Sequence, residues 1–152
     1  MKTTRRQTLQ HAATVAGLLA ATGLAPRTAL AWTNAAFDAK TVADAIKAYG
    51  AGAPVESKDV QLTAPDIAEN GAVVPMGVAT TLPNVKQLLI LVEKNPAPLV
   101  AKFDVNPAVD ANFLTRAKMG QSSDVYAVAL TTDGKALFSK KEVKVTLGGC
   151  GG

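Results

Sequence analysis

Residues 32–147 predict an all-β domain, an antiparallel β-sandwich entered through one N-terminal helix. Three observations predict it. From Val60 onward the chain falls into about seven short segments rich in Val, Leu, Ile and Phe, several of them alternating apolar with polar residues. Turn residues separate these segments at intervals near ten residues, among them Asn70-Gly71, Asn95-Pro96, Asn106-Pro107 and Asp133-Gly134. Helical spacing is confined to the start of the domain.

The helix comes first. Val42, Ala45, Ile46 and Tyr49 recur at spacings of three and four, with Lys40, Asp44 and Lys47 on the other face. Asp38 is the expected N-cap, Gly50 and Gly52 stop the pattern, and Pro54 follows. Val60-Gln61-Leu62 is then a short strand closed by Pro65. The Val-rich run from Ala72 to Thr80 contains Pro75, which donates no ladder hydrogen bond, so an edge strand or a bulge is expected there.

Lys86 to Glu93 carries Leu88-Leu89-Ile90-Leu91-Val92 without a break, and both faces of such a strand must be covered. Leu99, Ala101, Phe103 and Val105 alternate with Lys102 and Asp104; Phe113, Thr115, Ala117 and Met119 alternate with Arg116 and Lys118. Both read as half-buried strands. Val125 to Thr131 is another strand, Asp133-Gly134 a hairpin turn, and Val143, Val145 and Leu147 alternate with Lys144 and Thr146. The pattern fits an immunoglobulin-like sandwich without the Cys–Trp–Cys signature of antibody domains. A domain of this length buries roughly two-thirds of its unfolded surface, so a core forms without disulfides.

Charge and composition then exclude several chemistries. The chain has 16 Lys+Arg, 12 Asp+Glu, one His and one Cys. Its formal charge of +4 is local: Lys2, Arg5, Arg6 and Arg27 lie in residues 1–31, which hold no acid, and the remainder is formally neutral. No basic stripe for nucleic acid is visible. The only histidine, His11, lies in that same leader, so a chain without its leader has no His-based triad, His-ligated metal or His general base. One Cys excludes an internal disulfide and a cysteine zinc or iron–sulfur site.

Residues 1–31 read as an export signal. A charged start (Lys2, Arg5, Arg6) precedes an apolar stretch from Ala12 to Ala25, and Ala29-Leu30-Ala31 places small residues where a signal peptidase reads, with cleavage expected after Ala31. The apolar run is shorter than the ~20 residues of a spanning helix. Thr4-Arg5-Arg6-Gln7-Thr8-Leu9 resembles the twin-arginine export signal, departing from it at Thr8 and Gln10. That route carries folded proteins to the periplasm. With no metal-ligand cluster or nucleotide motif to explain it, export in complex with a partner lacking its own signal is expected. The chain thus divides into a signal peptide (1–31), a sandwich domain (32–147) and a glycine-rich arm (148–152).

The arm is the informative segment. Gly148, Gly149, Gly151 and Gly152 surround Cys150, the sole cysteine. Glycine has the most backbone entropy to lose and no side chain to pack, so this end is not expected to dock stably on its own. Without a Cβ on either side the tether is slim enough to enter a narrow cleft. These are the properties of a carrier: a nucleophilic atom on a thin arm presented to other proteins. The arm itself holds no cation that would activate the thiol, whose free pKa is ~8.5. Activation is therefore expected from the sites the arm visits, and the chain is not read as an enzyme.

Lys144 to Gly152 and the internal run Ile67-Ala68-Glu69-Asn70-Gly71-Ala72-Val73-Val74-Pro75 are similar to the SoxY family of thiosulfate-oxidation carriers. The resemblance implies an immunoglobulin-like domain whose Cys150 holds thiosulfate-derived sulfur covalently, with no cofactor of its own and no catalytic or metal-binding residue. It implies a cysteine-free SoxZ-like β-sandwich partner. It further implies three visiting enzymes: a c-type cytochrome that conjugates thiosulfate, a hydrolase that releases sulfate, and a sulfur dehydrogenase. The competing reading is a periplasmic binding or structural module that uses Cys150 for an intermolecular disulfide. A thiol oxidoreductase needs a resolving cysteine, and none is present.

Overall fold

The apolar run around Leu88–Val92 organises the molecule. In the computed structural model, which describes Arg5 and residues 34–146, this run forms β5 (Val85–Val92) near the middle of the larger of two sheets. Both faces are covered, as the sequence requires. Leu88, Ile90 and Val92 point into a core shared with Val74, Met76, Val78, Val125 and Val143. Leu89 and Leu91 point the other way, into a cluster with Ala36, Ala45, Ile46 and Leu130. All five side chains of β5 are fully buried, each stabilising the fold by roughly 1.5–3 kcal/mol.

The remaining strands are β1 (Pro54–Glu56), β2 (Val60–Thr63), β3 (Ile67–Ala68), β4 (Val74–Thr80), β6 (Leu99–Asp104), β7 (Asn112–Ala117), β8 (Ser123–Thr131) and β9 (Ala136–Val145). The larger sheet runs β1-β9-β8-β5-β6, with β3 also on β9; the smaller runs β2-β4-β7. The two sheets enclose the first core, and Phe103 of β6 stacks on Phe113 of β7 with ring centroids 4.5 Å apart, joining the sheets at one side. Two helices, α1 (Asn34–Asp38) and α2 (Val42–Lys47), supply residues of the second cluster on the outer face of the large sheet. The chain divides into two units, Met1–Trp32 and Thr33–Gly152.

The expected all-β sandwich is present, with four differences in detail. The entry is two short helices rather than one. Asp38 ends α1, and the N-cap of α2 is Thr41, whose Oγ1 accepts from the Asp44 amide at 3.1 Å. Thr41 sits one residue before the apolar-periodic face and so satisfies a free amide of the first turn, which Asp38 is too far away to do. Gly50 does end the segment, at φ +73°.

Pro75 does not place β4 at an edge, because β4 is the middle strand of its sheet. The register explains the tolerance. β2 ends at Thr63 opposite Gly77, so Pro75 lies past the end of β2 and has only Arg116 of β7 as a neighbour. The missing N–H falls where the ladder has stopped.

The sheets are not wholly antiparallel: β1 and β3 pair parallel with the two ends of β9. The last strand is also longer at its start than its alternation suggested and ends at Val145, with Leu147 outside the described residues. The β8–β9 hairpin turns at Asp133-Gly134 as expected, Gly134 taking φ +83°.

Candidate functional site

Cys150, its four flanking glycines, Arg6, Ala29 and Ala31 lie outside the described residues; Arg5 is exposed and helical. The describable part of the site is the root of the arm, the end of β9 from Val143 to Thr146. Cys150 follows Thr146 by four residues, about 14 Å at full extension.

Three consecutive amides hold this root, in the alternating directions that a strand imposes. Lys144 N–H donates to the carbonyl of Asp66 at 2.9 Å and Thr146 N–H to that of Ala68 at 3.1 Å, both toward β3. Val145 N–H points the opposite way, toward β8. The β8–β9 ladder stops at Ser123 opposite Val143. Beyond that point the hydroxyl of Ser122 takes the carbonyl's place and accepts from Val145 N–H at 2.9 Å.

β3 is itself held from two sides. Upstream, Lys141 Nζ donates to the Ala64 carbonyl at 3.0 Å and pairs with the Asp66 carboxylate at 2.8 Å. That hydrogen bond, and the charge of Lys141, hold the Asp66 carboxyl below its usual value. Downstream, Asn70-Gly71 makes the expected turn, with Ala72 N–H donating to Asn70 Oδ1 at 2.9 Å. Gly71 then wedges against the root: its carbonyl accepts from Met119 N–H at 2.7 Å. A side chain there would run into the Met119 carbonyl and would approach Val145 Cγ1 to 2.8 Å.

The internal run 67–75 therefore lies beside the root, with Ile67 opposite Lys144 and Ala68 opposite Val145. Two stretches more than 70 residues apart in sequence form one structure. The Asn70-Gly71 turn was visible in the sequence, whereas nothing there marked Ser122 or Ala68 as supports. Among the described residues no group of three or more His, Cys, Asp or Glu is placed to hold a metal ion. What this region supplies is a fixed mount from which a short glycine-rich segment departs.

The model for the family described as "Sulfur oxidation protein SoxY" matches residues 45–150, a span that includes β3, the whole of β9 and Cys150. The chain belongs to the SoxY family. A solved structure of the sulfur carrier protein SoxY from Chlorobium limicola f thiosulfatophilum is similar to this SoxY-family chain at 39% identity and a TM-score of 0.62. It covers 68% of this chain and 94% of that one. The superoxide reductase (neelaredoxin) from Ignicoccus hospitalis is similar at 14% identity and a TM-score of 0.51, over 57% of this chain and 80% of that one, a likeness of fold alone. Among curated proteins none matches.

Proposed function

We propose that this SoxY-family chain is a sulfur carrier of periplasmic thiosulfate oxidation, holding the intermediates covalently on Cys150. The observation that carries the reading is the mount. β9 is tied on both edges up to Thr146, and the only thiol of the chain follows within four residues, among glycines. A rigid base with a slim arm keeps a small, strongly hydrated sulfur species at high effective concentration for successive catalysts.

The chemistry is what membership of the family implies for a lone thiol. In the first step the Cys150 S–H and thiosulfate join through a new S–S bond, giving a cysteine S-thiosulfonate. One proton and two electrons leave, the electrons to a c-type cytochrome. In the second, water attacks the terminal sulfonate and the S–S bond to it breaks. Sulfate is released with two protons, and a persulfide anion remains on Cys150. A sulfur dehydrogenase, where present, takes six electrons from that outer sulfur as three waters supply its oxygens and six protons leave, giving a cysteine S-sulfonate, and hydrolysis then releases sulfate and restores the thiol. The carrier supplies no catalytic group. Haem and metal belong to the partners, and a cysteine-free SoxZ-like subunit accompanies the carrier. The twin-arginine signal at Arg5-Arg6 takes the pair to the periplasm, with cleavage after Ala31.

The test is the intact mass of the protein from thiosulfate-grown cells, followed by mapping of the C-terminal peptide. Sulfur adducts confined to that peptide, absent in Cys150→Ser, are expected. A bare thiol or a dimer disulfide as the only species would refute the carrier reading and favour a covalently dimerising module.

A further inference from the structure

A strand at the end of a sheet presents amides and carbonyls that another chain can bond. The small sheet runs β2-β4-β7, so β7 is such an edge. One hydrogen bond fixes which of its groups face outward: Thr80 N–H donates to the Ala111 carbonyl at 2.9 Å. Val78 lies opposite Phe113 and Met76 opposite Thr115 in the same register. The alternation of an antiparallel ladder therefore turns the backbone of Phe113, Thr115 and Ala117 toward β4, and that of Asn112, Leu114 and Arg116 away from it. Among the described residues no hydrogen bond takes up the amides of Leu114 and Arg116.

Edges are ordinarily blunted by a proline, a bulge or a lysine in mid-strand. β6, an edge of the large sheet, carries Lys102, ion-paired with Asp104 at 2.7 Å. β7 has no proline, and its pairing with β4 shows no register shift. Its mid-strand outward side chain is Leu114, 75% exposed, the most exposed large hydrophobic among the described residues.

The side chains along this edge are complementary to their own reverse. Asp110, Asn112, Leu114, Arg116 and Lys118 are all exposed, while Ala111, Phe113, Thr115 and Ala117 between them are buried or half-buried. An acid stands just before the strand and bases stand at its end, with the apolar residue between. Against an antiparallel copy with Leu114 opposite Leu114, Asn112 meets Arg116 and Asp110 meets Lys118. Any other register that keeps these side chains on one face sets Leu114 against a polar or charged residue. Among the described residues neither Asp110 nor Lys118 has an ion pair within the chain.

We propose that two copies of this chain associate edge to edge through β7, antiparallel about a two-fold axis at Leu114, so that the small sheet continues from one copy into the other. Leu114 N–H donates to the carbonyl of the partner's Leu114 and Arg116 N–H to that of the partner's Asn112, each bond occurring twice by symmetry. A single strand edge buries less than the ~1,200 Å² of a stable interface, so the dimer is reversible. The inference uses no residue of the arm and stands apart from the carrier reading.

The experiment uses the mature chain with Cys150→Ser, so that no native thiol bridges two copies, purified with any second subunit it brings. Leu114→Cys and Arg116→Cys are added singly and oxidised mildly. Facing residues of a hydrogen-bonded antiparallel pair have Cα atoms about 5.5 Å apart, within the roughly 4.4–6.8 Å of a disulfide. Arg116 faces Asn112, four positions from its own copy, so about 13 Å separate the two along the strand. Leu114→Cys should therefore cross-link roughly tenfold faster than Arg116→Cys. In sedimentation, Leu114→Lys should raise the dimer dissociation constant roughly tenfold. Asp110→Lys should weaken the dimer, and adding Lys118→Asp to it should restore the affinity. Equal cross-linking rates at the two positions would mean random collision and overturn the proposal, as would a chain that stays monomeric at every concentration. Loss of a co-purifying subunit from Leu114→Lys also overturns it, by assigning the edge to that subunit.

Discussion

The amide of Thr146 donates to the carbonyl of Ala68 at 3.1 Å, so a residue two positions before the first glycine of the tail is bonded to a strand 78 positions earlier in the chain. This bond holds the last described residue of the chain to the sandwich. It also ties the segment around Ala68 to the end of β9, although the two are far apart in sequence.

Gly71 should tolerate no side chain. Gly71→Ala is expected to destabilise the domain by about 1–3 kcal/mol, the range for an overpacked site, because a Cβ there meets the Met119 carbonyl and the Val145 side chain. Gly120 has open space around its Cβ position, so Gly120→Ala should stay within about 0.5 kcal/mol. Urea denaturation of the two variants checks both; equal midpoints would remove the wedge.

Ser122→Ala leaves the Val145 amide without its acceptor. The expected cost is about 1 kcal/mol. Amide exchange at Val145 should quicken while exchange at Leu89 in β5 stays slow. Unaltered protection at Val145 would show that the hydroxyl does not hold the root.

Arm width should matter for turnover and not for folding. Gly149→Val and Gly151→Val are expected to leave thermal unfolding unchanged and to slow sulfur loading of Cys150 by conjugating enzyme. Full-speed loading of either variant would end the slim-arm argument.

Asp133 provides a pH test at the β8–β9 turn. Hydrogen bonds from Lys135 and Thr131 hold its carboxyl down to about 2, against an ordinary 3.8. The folded value lies below the unfolded one, so the ionised carboxylate contributes stability above pH 3.8. That contribution is lost as pH falls from 3.8 toward 2. Carboxylate NMR should show a midpoint near 2, and Asp133→Asn should flatten the stability profile in that window. A midpoint near 3.8 would mean the turn contacts are not populated in solution.

β5 is expected to be the most sensitive strand. Leu89→Ala and Ile90→Ala remove side chains from opposite faces, one toward the helices and one toward the small sheet. Each should cost about 2–5 kcal/mol. A near-neutral Leu89→Ala in denaturant titration would show that the helical layer does not pack on the sheet.

β5 was legible because five apolar residues in a row have only one physical outcome, burial on both faces. The β8–β9 hairpin was legible because Asp-Gly supplies the positive φ that a tight turn needs. β1 and β3 were not. At three and two residues they are too short to show a period, and their parallel partner β9 lies some 80 positions away. Pro75 misled for a related reason: its local chemistry demands a free side, and only the register shows that β2 ends before reaching it. In the candidate site, the thiol and its glycines are named by the sequence and lie outside the described residues. The supports from Ala68, Gly71 and Ser122 could not be read there, because backbone carbonyls and a lone hydroxyl leave no pattern in the chain.

The position of β9 has a mechanical consequence. It lies between β8 on one side and β1 and β3 on the other, and it is still hydrogen-bonded at Thr146, the last described residue. A pull on Thr146 along the strand axis loads the flanking hydrogen bonds in shear, all together, rather than peeling them one by one. The sandwich acts as an anchor under traction along β9.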